Sequence, residues 1–326
     1  MLIPATTGGG RKVVTVTPNP ALDITYRVPV IRPGHSHRVD LPLERAGGKG
    51  LNVARVASQT GSPVLAIAPV GGATGDLFRA ELDESGVPHL LVPAGAETRR
   101  SIAFVDETAN ETTIFNERGE QQPLQTWDEI LAAVKHAISQ DEAAVLVGSG
   151  SLPQNAPETF YRDLVAHARR RRMPVIIDTS GRPLLEAARA GADLLKPNHH
   201  ELIETTGEQH LPTAARRLLQ LGAGTVLVSA GEKGMLAFSN EHPATHWAAS
   251  LPRRLSGNPT GAGDATVAAA AVLTAAGISD LPTLLRAMTA WGAAAVLTPG
   301  AGEIDPSYRA LEKEVIITHQ KDTACL

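Results

Sequence analysis

Short, almost unbroken apolar runs alternate with helix-like patterns along most of this chain, and this alternation constrains the fold more than any other feature. A strand carries such a run when both of its faces are buried, as in a parallel sheet with helices on both sides. The sequence therefore predicts an α/β fold with a mostly parallel central sheet. Thr126 and Glu129 have the spacing of a capping box and predict that one of the helices begins there. The strand-like runs are 13–17, 64–68, 143–147, 175–177, 192–195 and 225–228.

Two segments interrupt this alternation. Residues 24–43 and 101–116 alternate polar with apolar side chains and contain turn signals, such as Pro33-Gly34 in the first segment. Alternation with a period of two is typical of strands that have one face in water. We expect antiparallel strands that pair into a small second sheet, which either packs on a partner or covers a site.

Composition and charge narrow the possible functions. The chain has 326 residues, of which 43% are apolar, and a formal net charge of −4 with both signs interspersed. This balance gives no electrostatic reason to expect nucleic acid or an anionic membrane as a partner. No apolar run reaches the roughly 18 residues that a membrane span needs. The basic run 169–172 follows a helical pattern, so we expect it to end a helix.

The single cysteine and the two ends of the chain suggest its setting and its boundaries. Cys325 has no possible partner within the chain, and a reducing, cytoplasmic compartment is the simplest explanation. Residues 1–11 lack an apolar core and are expected to form a tail, as are residues 319–326. The folded domain is expected to span residues 12–318.

The segment 258–264 carries the strongest chemical signal. Its small residues, Asn-Pro-Thr-Gly-Ala-Gly-Asp, end a loop just before an Ala-rich helical run. The free N–H groups at a helix start and the positive end of the helix dipole form an anion site suited to phosphate. A carboxylate at Asp264 helps there only if it takes a proton from an attacking hydroxyl, which indicates phosphoryl transfer to an alcohol. An aspartate that merely favours the helix dipole is the alternative.

Two further segments suit a polyhydroxylated ligand. In the run 47–52, Gly48 allows close backbone approach, while Lys49 and Asn52 supply hydrogen-bond donors. The run matches neither a Walker A loop nor G-x-G-x-x-G, which weakens a dinucleotide-binding interpretation. Asp23 follows the first strand, at the sheet edge where ligands bind, and its carboxylate could accept hydrogen bonds from sugar hydroxyls. A Gly-rich turn and a turn aspartate are the alternatives.

Three other segments offer groups for a cation, a nucleotide and a phosphate. Asn198 and Glu201 lie three residues apart at a predicted helix start, a spacing that suits Mg²⁺, although Glu201 could simply be a first-turn acid. The run 229–234 follows a strand and offers Gly-rich backbone for a nucleotide. Arg99 or Arg100, at the start of the second interrupting segment, could bind a phosphate if that segment is a lid.

Taken together and in order, five motifs of the chain resemble those of the ribokinase-like (pfkB) carbohydrate kinases, within the phosphofructokinase and tagatose-6-phosphate kinase branch. The resemblance covers about residues 12–315. It implies a three-layer α/β/α fold with a mostly parallel central sheet and a small β-sheet lid, and a homodimer formed through that lid. The motifs are Asn19-Pro-x-x-Asp23, 46–54, Ser149-Gly-Ser-Leu-Pro153, Lys196-Pro-Asn-x-x-Glu201 and 258–264.

The resemblance also implies a role for each matching residue. The acceptor hydroxyl would lose its proton to Asp264 as ATP transfers its γ-phosphoryl group, and backbone amides would stabilise the developing charge. The catalytic positions are Asp264, Gly261, Ala262 and Gly263. The sugar-phosphate side is matched by Asp23, Gly48, Lys49, Asn52, Arg99 and Ser151. The nucleotide side is matched by Lys196, Asn198, Ser229, Gly231, Gly234, Gly261 and Gly263, and the Mg²⁺-organising pair by Asn198 and Glu201.

The implied function is ATP-dependent phosphorylation of a hexose phosphate to a bisphosphate. Tagatose 6-phosphate, fructose 6-phosphate and fructose 1-phosphate are all compatible with the motifs, and Arg99 favours a phosphorylated sugar over a free one. A kinase of a free sugar and a non-catalytic sensor on the same fold are the alternatives. The presence of Asp264 and Glu201 argues against a sensor, which needs neither a base nor a metal organiser.

Overall fold

The computed structural model describes residues 11–109, 111–140 and 142–322. Cys325 and all but Arg11 of the expected N-terminal tail lie outside these ranges. The strands are β1 (Lys12–Val16), β2 (Ala21–Val28), β3 (Leu43–Gly47), β4 (Val64–Val70), β5 (His89–Pro93), β6 (Arg99–Asp106), β7 (Glu111–Asn116), β8 (Ala143–Ser149), β9 (Val175–Asp178), β10 (Leu194–Leu195), β11 (Thr225–Ser229), β12 (Met235–Ser239), β13 (Thr245–Ser250) and β14 (Ile316–Lys321).

Helices connect most of these strands. A short 3₁₀ helix, Gly231–Lys233, also lies between β11 and β12. The α-helices are α1 (Lys49–Gln59), α2 (Gly72–Ser85), α3 (Leu124–Ser139), α4 (Phe160–Arg170), α5 (Gly181–Arg189), α6 (His199–Thr206), α7 (Leu211–Leu221), α8 (Ala262–Ala275), α9 (Leu281–Val296) and α10 (Tyr308–Glu314).

The main sheet has ten strands in the order β14-β13-β12-β11-β10-β9-β8-β1-β4-β5. From β11 to β5 all neighbours pair in parallel, whereas β12, β13 and β14 continue the sheet by antiparallel pairing. The prediction of a mostly parallel sheet is confirmed. Because the parallel strands all end at the same edge, the loops that follow β1, β8, β9, β10 and β11 meet there.

Two hydrophobic cores lie on opposite faces of this sheet. Successive residues of β1 belong to different cores. Val13 lies in the core formed with α1, α2, α8, α9 and α10, whereas Val14 lies in the core formed with α3 to α7. Both faces are therefore covered, which explains the near-continuous apolar strands in the sequence. The result is the predicted three-layer α/β/α arrangement.

A four-stranded sheet, in the order β3-β2-β6-β7, forms a lid beside the main sheet. Its strands overlap the two interrupting segments but extend beyond their predicted bounds, since β2 begins at Ala21, β3 continues to Gly47 and β6 begins at Arg99. The expectation of purely antiparallel pairing was wrong in one place, because β2 and β6 run parallel from Ala21↔Arg99 to Val28↔Asp106. Each is the first strand of its segment, so both leave the main domain in the same direction.

Two further boundaries differ from the sequence predictions. Helix α3 begins at Leu124, so Thr126 lies within its first turn and the predicted capping box does not form; the Glu129 carboxylate instead accepts a hydrogen bond from Gln125. The expected C-terminal tail from residue 319 begins inside β14, which pairs with β13 as far as Lys321.

Within residues 11–322, apart from 110 and 141, no helix is long and apolar enough to cross a membrane.

Candidate active site

A cleft of about 980 Å³ lies between the carboxyl edge of the main sheet and the lid. It gathers most of the residues singled out from the sequence, although they come from segments more than 200 residues apart. The predicted residues that line it are Asp23, Gly48, Lys49, Asn52, Arg99, Ser151, Lys196, Asn198, Glu201, Ser229, Gly231, Gly261, Gly263 and Asp264.

Asp264 lies at the floor of this cleft, in the first turn of α8. Its carboxylate Oδ2 accepts a hydrogen bond of 2.8 Å from the Nδ2 of Asn52. Burial raises the pKa of Asp264 to about 7. The negative charge of Asp178 also raises this pKa, whereas the attraction of the Lys49 ammonium lowers it. A carboxylate with such a pKa can accept and release a proton near neutral pH.

The start of α8 presents free backbone amides to the cleft. Gly261 precedes the helix with φ of 83°, and a Cβ there would lie 2.7 Å from the Cα of Ala301. In the described part of the chain, the amides of Gly261 and Gly263 have no hydrogen-bond partner, whereas that of Ala262 donates to the carbonyl of Pro259 at 3.2 Å. The geometry therefore leaves the amides of Gly261 and Gly263 free to bind an anion and places Ala262 outside the cleft lining, contrary to the prediction for Ala262.

Opposite charges cluster next to Asp264. The Nζ of Lys49 lies 3.4 Å from an oxygen of Glu201 and 3.6 Å from one of Asp178, and the Nζ of Lys196 lies 3.4 Å from the other oxygen of Asp178. Burial raises the pKa of Asp178, but the two lysines and a hydrogen bond from Ser149 outweigh burial and hold it below its usual value. The carboxylates in turn raise the pKa of Lys49, so this lysine remains charged at neutral pH.

Asn198 and Glu201 form a reciprocal capping box at the start of α6. The backbone amide of Glu201 donates to Asn198 Oδ1 at 2.9 Å, and that of Asn198 donates to Glu201 Oε2 at 2.8 Å. Both residues line the cleft, where Glu201 Oε1 meets Lys49. In the described residues, no group of three or more His, Cys, Asp or Glu side chains could hold a metal by itself. The donor set fits a Mg²⁺ ion that keeps waters and phosphate oxygens as most of its ligands.

At the lid end of the cleft, Asp23 of β2 and Arg99 of β6 lie on neighbouring strands. Burial raises the pKa of Asp23 to about 6, although Arg99 and a hydrogen bond from Ser101 oppose this. The Arg99 guanidinium donates to the carbonyls of Asn19 and Glu117. Arg100 lies outside the cleft lining, and its Nη2 donates to Thr74 of α2 at 2.9 Å. The structure thus favours Arg99 over Arg100 as the arginine that faces the cleft.

The lid is also tied to the other side of the cleft. Arg45 of β3 makes a 2.7 Å ion pair with Glu303, in the loop that follows α9. The same loop packs Ala301 against Gly261 at the start of α8. One ion pair therefore connects the lid to the loop that packs against the start of α8.

Gly234, predicted on the nucleotide side, does not line the cleft. It has φ of 90° after the 3₁₀ helix, and a Cβ there would overlap the carbonyl oxygen of Ala249 in β13. Its role is thus to let β12 and β13 approach each other. Conversely, the cleft contains Asp178, which the sequence analysis missed even though an aspartate directly after the buried run 175–177 was the available signal.

Comparison with protein families identifies the family to which the chain belongs. Residues 18–307 match the sequence profile described as the pfkB family carbohydrate kinase. The chain belongs to the pfkB family. This match confirms the family that the five motifs predicted, and with it the expectation of a kinase.

Individual pfkB relatives match over nearly the whole chain. An ATP-dependent 6-phosphofructokinase isozyme 2 of Mycobacterium tuberculosis is 37% identical over 299 residues, which are 90% of this chain and 86% of that protein. A 1-phosphofructokinase of Xanthomonas campestris is 33% identical over 307 residues, covering 90% of this chain and 94% of that protein. The crystal structure of phosphofructokinase-2 from Escherichia coli in complex with fructose-6-phosphate has a TM-score of 0.83 and 29% identity, and covers 93% of this chain and 98% of that one. The ribokinase-like fold is thereby confirmed.

Proposed function

We propose that this pfkB kinase transfers the γ-phosphoryl group of ATP to a hexose phosphate and produces a bisphosphate. The observation that carries the proposal is the position of Asp264, buried beside free helix amides, in a cleft whose other end holds Asp23 and Arg99. Relatives named 6-phosphofructokinase and 1-phosphofructokinase are similar to the chain at 37% and 33% identity, which makes fructose 6-phosphate and fructose 1-phosphate candidate acceptors. The motifs of the sequence add tagatose 6-phosphate as a third candidate.

In the proposed reaction, an acceptor hydroxyl gives its proton to the Asp264 carboxylate. Its oxygen then bonds to the γ-phosphorus as the bond from that phosphorus to the oxygen of ADP breaks. The 2.8 Å hydrogen bond from Asn52 orients the carboxylate and leaves its other oxygen for the proton. The Gly261 and Gly263 amides would stabilise the charge that develops on the phosphoryl oxygens, because both residues line the cleft and their amides have no hydrogen-bond partner in the described part of the chain.

The Asn198–Glu201 pair and Lys196 would act on the nucleotide side. A Mg²⁺ ion would neutralise phosphate charge, and Glu201 Oε1 is the carboxylate oxygen that the capping box leaves available for its hydration shell. The Lys196 ammonium, only 3% exposed and paired with Asp178, would supply fixed positive charge near the phosphates. Ser229 and Gly231 would contact the nucleotide from the end of β11.

The proposal includes a homodimer formed through the lid. One row of side chains crosses the cleft-facing side of the lid and consists of Leu43, Thr25, Ala103 and Ile114. Leu43 is 67% exposed and Ile114 40% exposed, which leaves apolar surface for a second copy to cover.

The test is ADP release with Mg-ATP and a panel of acceptors: the three phosphosugars, free fructose and ribose. We expect turnover with at least one phosphosugar and its loss by about 10³-fold or more in Asp264→Asn, with nucleotide binding retained, because the base is gone while the amides remain. Asp128→Asn, an exposed aspartate of α3, is the matched control and should behave as wild type. Full turnover by Asp264→Asn would remove Asp264 as the base. Turnover only on a free sugar would refute a phosphosugar acceptor, and binding without ADP release would favour the sensor.

A further inference from the structure

The lid end of the cleft needs more positive charge than Arg99 supplies. This inference rests on the proposed function, in which that end holds the phosphate already present on the sugar, a group with a charge of about −2 at neutral pH. Asp23 lies on the strand beside Arg99, and its pKa of about 6 leaves it mostly ionised above pH 7, so its negative charge offsets the positive charge of Arg99. Two further arginines act on Asp23, but Arg45 is paired with Glu303 and Arg55 with Glu81. A dianion would therefore find almost no net attraction from Asp23 and Arg99.

Arg99 is also largely occupied by hydrogen bonds. Its Nε and Nη2 donate to the carbonyl of Asn19, each at 3.3 Å, and its Nη1 donates to the carbonyl of Glu117 at 3.1 Å. These bonds use three of the five N–H groups of the guanidinium. The two N–H groups that remain can contact one or two oxygens of the sugar phosphate. The other phosphate oxygens need a different donor.

The other cations near the cleft are committed elsewhere. Lys49 and Lys196 pair with Asp178, and Lys49 also with Glu201, at the end where Asp264 lies. Arg100 is bound to Thr74 outside the cleft. Arg118, in the loop between β7 and α3, is the remaining arginine of the cleft lining.

Asn19 places Arg118 next to Arg99. While its carbonyl accepts from Arg99, its Nδ2 donates to the carbonyl of Arg118 at 3.1 Å and to the Oγ of Ser151 at 3.4 Å. Gly119 fixes the loop against Asn19, since it has φ of 85° and a Cβ there would come within 2.6 Å of Asn19 Oδ1. The side chain of Arg118 is exposed and, within the described residues, makes no ion pair or hydrogen bond.

We propose that Arg118 is a second cation of the sugar-phosphate site and determines the preference for a phosphorylated acceptor over a free sugar. Asn19 bonds to the guanidinium of Arg99, the backbone carbonyl of Arg118 and the hydroxyl of Ser151, and so holds these three residues at the same end of the cleft. A guanidinium can bind two phosphate oxygens at once. The positive charge of Arg118 also makes up for the charge of Arg99 that the Asp23 carboxylate neutralises.

The test compares Arg118→Gln with wild type on the acceptor panel. We expect the KM for the phosphosugar to rise about tenfold or more, with kcat at saturation and the KM for ATP unchanged, because the arginine contacts only the acceptor phosphate. The KM for a free sugar should stay the same, and Arg118→Lys should recover part of the loss. Arg162→Gln, an exposed arginine of α4, is the matched control.

A phosphosugar KM within about twofold of wild type in Arg118→Gln would overturn the inference while the proposed function stands. If wild type turns over no phosphosugar, the proposed function fails, and calorimetric titration with the three phosphosugars then decides the inference separately. Weaker phosphosugar binding by Arg118→Gln than by wild type would support it. Equal affinities, or no binding to wild type, would overturn it.

Discussion

The proposed reaction places two demands on the side chain of Asp264, because a base at this position has to be buried beside the free amides of α8 and still lose its proton. Burial raises its pKa to about 7, and the Lys49 ammonium and the Asn52 amide keep the pKa from rising further. Only the folded chain brings these groups together, since Asn52 and Asp264 are 212 positions apart. The residue is therefore tuned by neighbours that its local sequence does not contain.

We expect this tuning to appear in the pH dependence of kcat/KM for the acceptor. Asp264 works as a base only when ionised, so the rate should fall as pH drops through about 7 and level off above it. Lys49→Met removes the attraction that lowers the pKa, so the same limb should move to higher pH in that variant. Initial rates between about pH 5.5 and 9 would check this. A profile that is flat across neutrality in both proteins would contradict it.

Strand β14 is held in place by a clasp that joins several elements. Arg216 of α7 donates to Asp322 at 2.9 Å and to the carbonyls of Ser239 and His242, each at 2.7 Å. His246 of β13 contacts the other oxygen of Asp322 at 2.7 Å. The clasp explains how a mostly polar edge strand stays paired beyond residue 318, where the sequence predicted a tail.

Removing this clasp should cost stability without affecting catalysis. Arg216→Ala leaves Asp322 and the carbonyls of Ser239, His242 and Thr245 without their charged donor, and we expect the free energy of unfolding to fall by about 2–4 kcal/mol. Arg217→Ala removes an exposed neighbour that pairs with Glu208 and should change the free energy of unfolding by less than about 0.5 kcal/mol. Urea unfolding of both variants measures the difference. Equal stabilities would show that the clasp contributes little.

At the scale of the whole molecule, the lid is attached to the domain by a few contacts and otherwise exposes apolar side chains. The Arg45–Glu303 and Arg100–Thr74 contacts fix its base, while Leu43 and Ile114 lie on its cleft-facing side. A second copy that packed against this side would bury that row and close the cleft at the same time.

We expect wild type to sediment as a dimer at micromolar concentration and Leu43→Asp to sediment as a monomer, because a charge in the row would have to be buried in the interface. Leu124→Asp is the matched control, since Leu124 is 74% exposed but lies on α3, away from the lid. Sedimentation velocity separates the two states. A monomeric wild type, or a dimeric Leu43→Asp, would argue against a lid interface.

The sequence by itself determined the layers of the fold and most of the cleft. Apolar runs that are buried on both faces fit only a covered parallel sheet, and motifs that closely follow such runs meet at its carboxyl edge, which is why Asn198 and Asp23 could be placed there from the sequence. Asp264 was found instead from the small residues that precede an Ala-rich helical run. These predictions depend on local periodicity, which any stretch of chain displays without its partners.

Only the tertiary structure decided which polar groups face the cleft and which are used elsewhere. Gly234 is required by the approach of β13, Ala262 donates to Pro259, and Arg100 binds Thr74, whereas Asp178 and Arg118 line the cleft. Neighbouring positions such as 99 and 100 look alike in sequence, but on a strand they point to opposite faces. Their roles are set by partners that are distant along the chain and come within hydrogen-bonding distance only after folding.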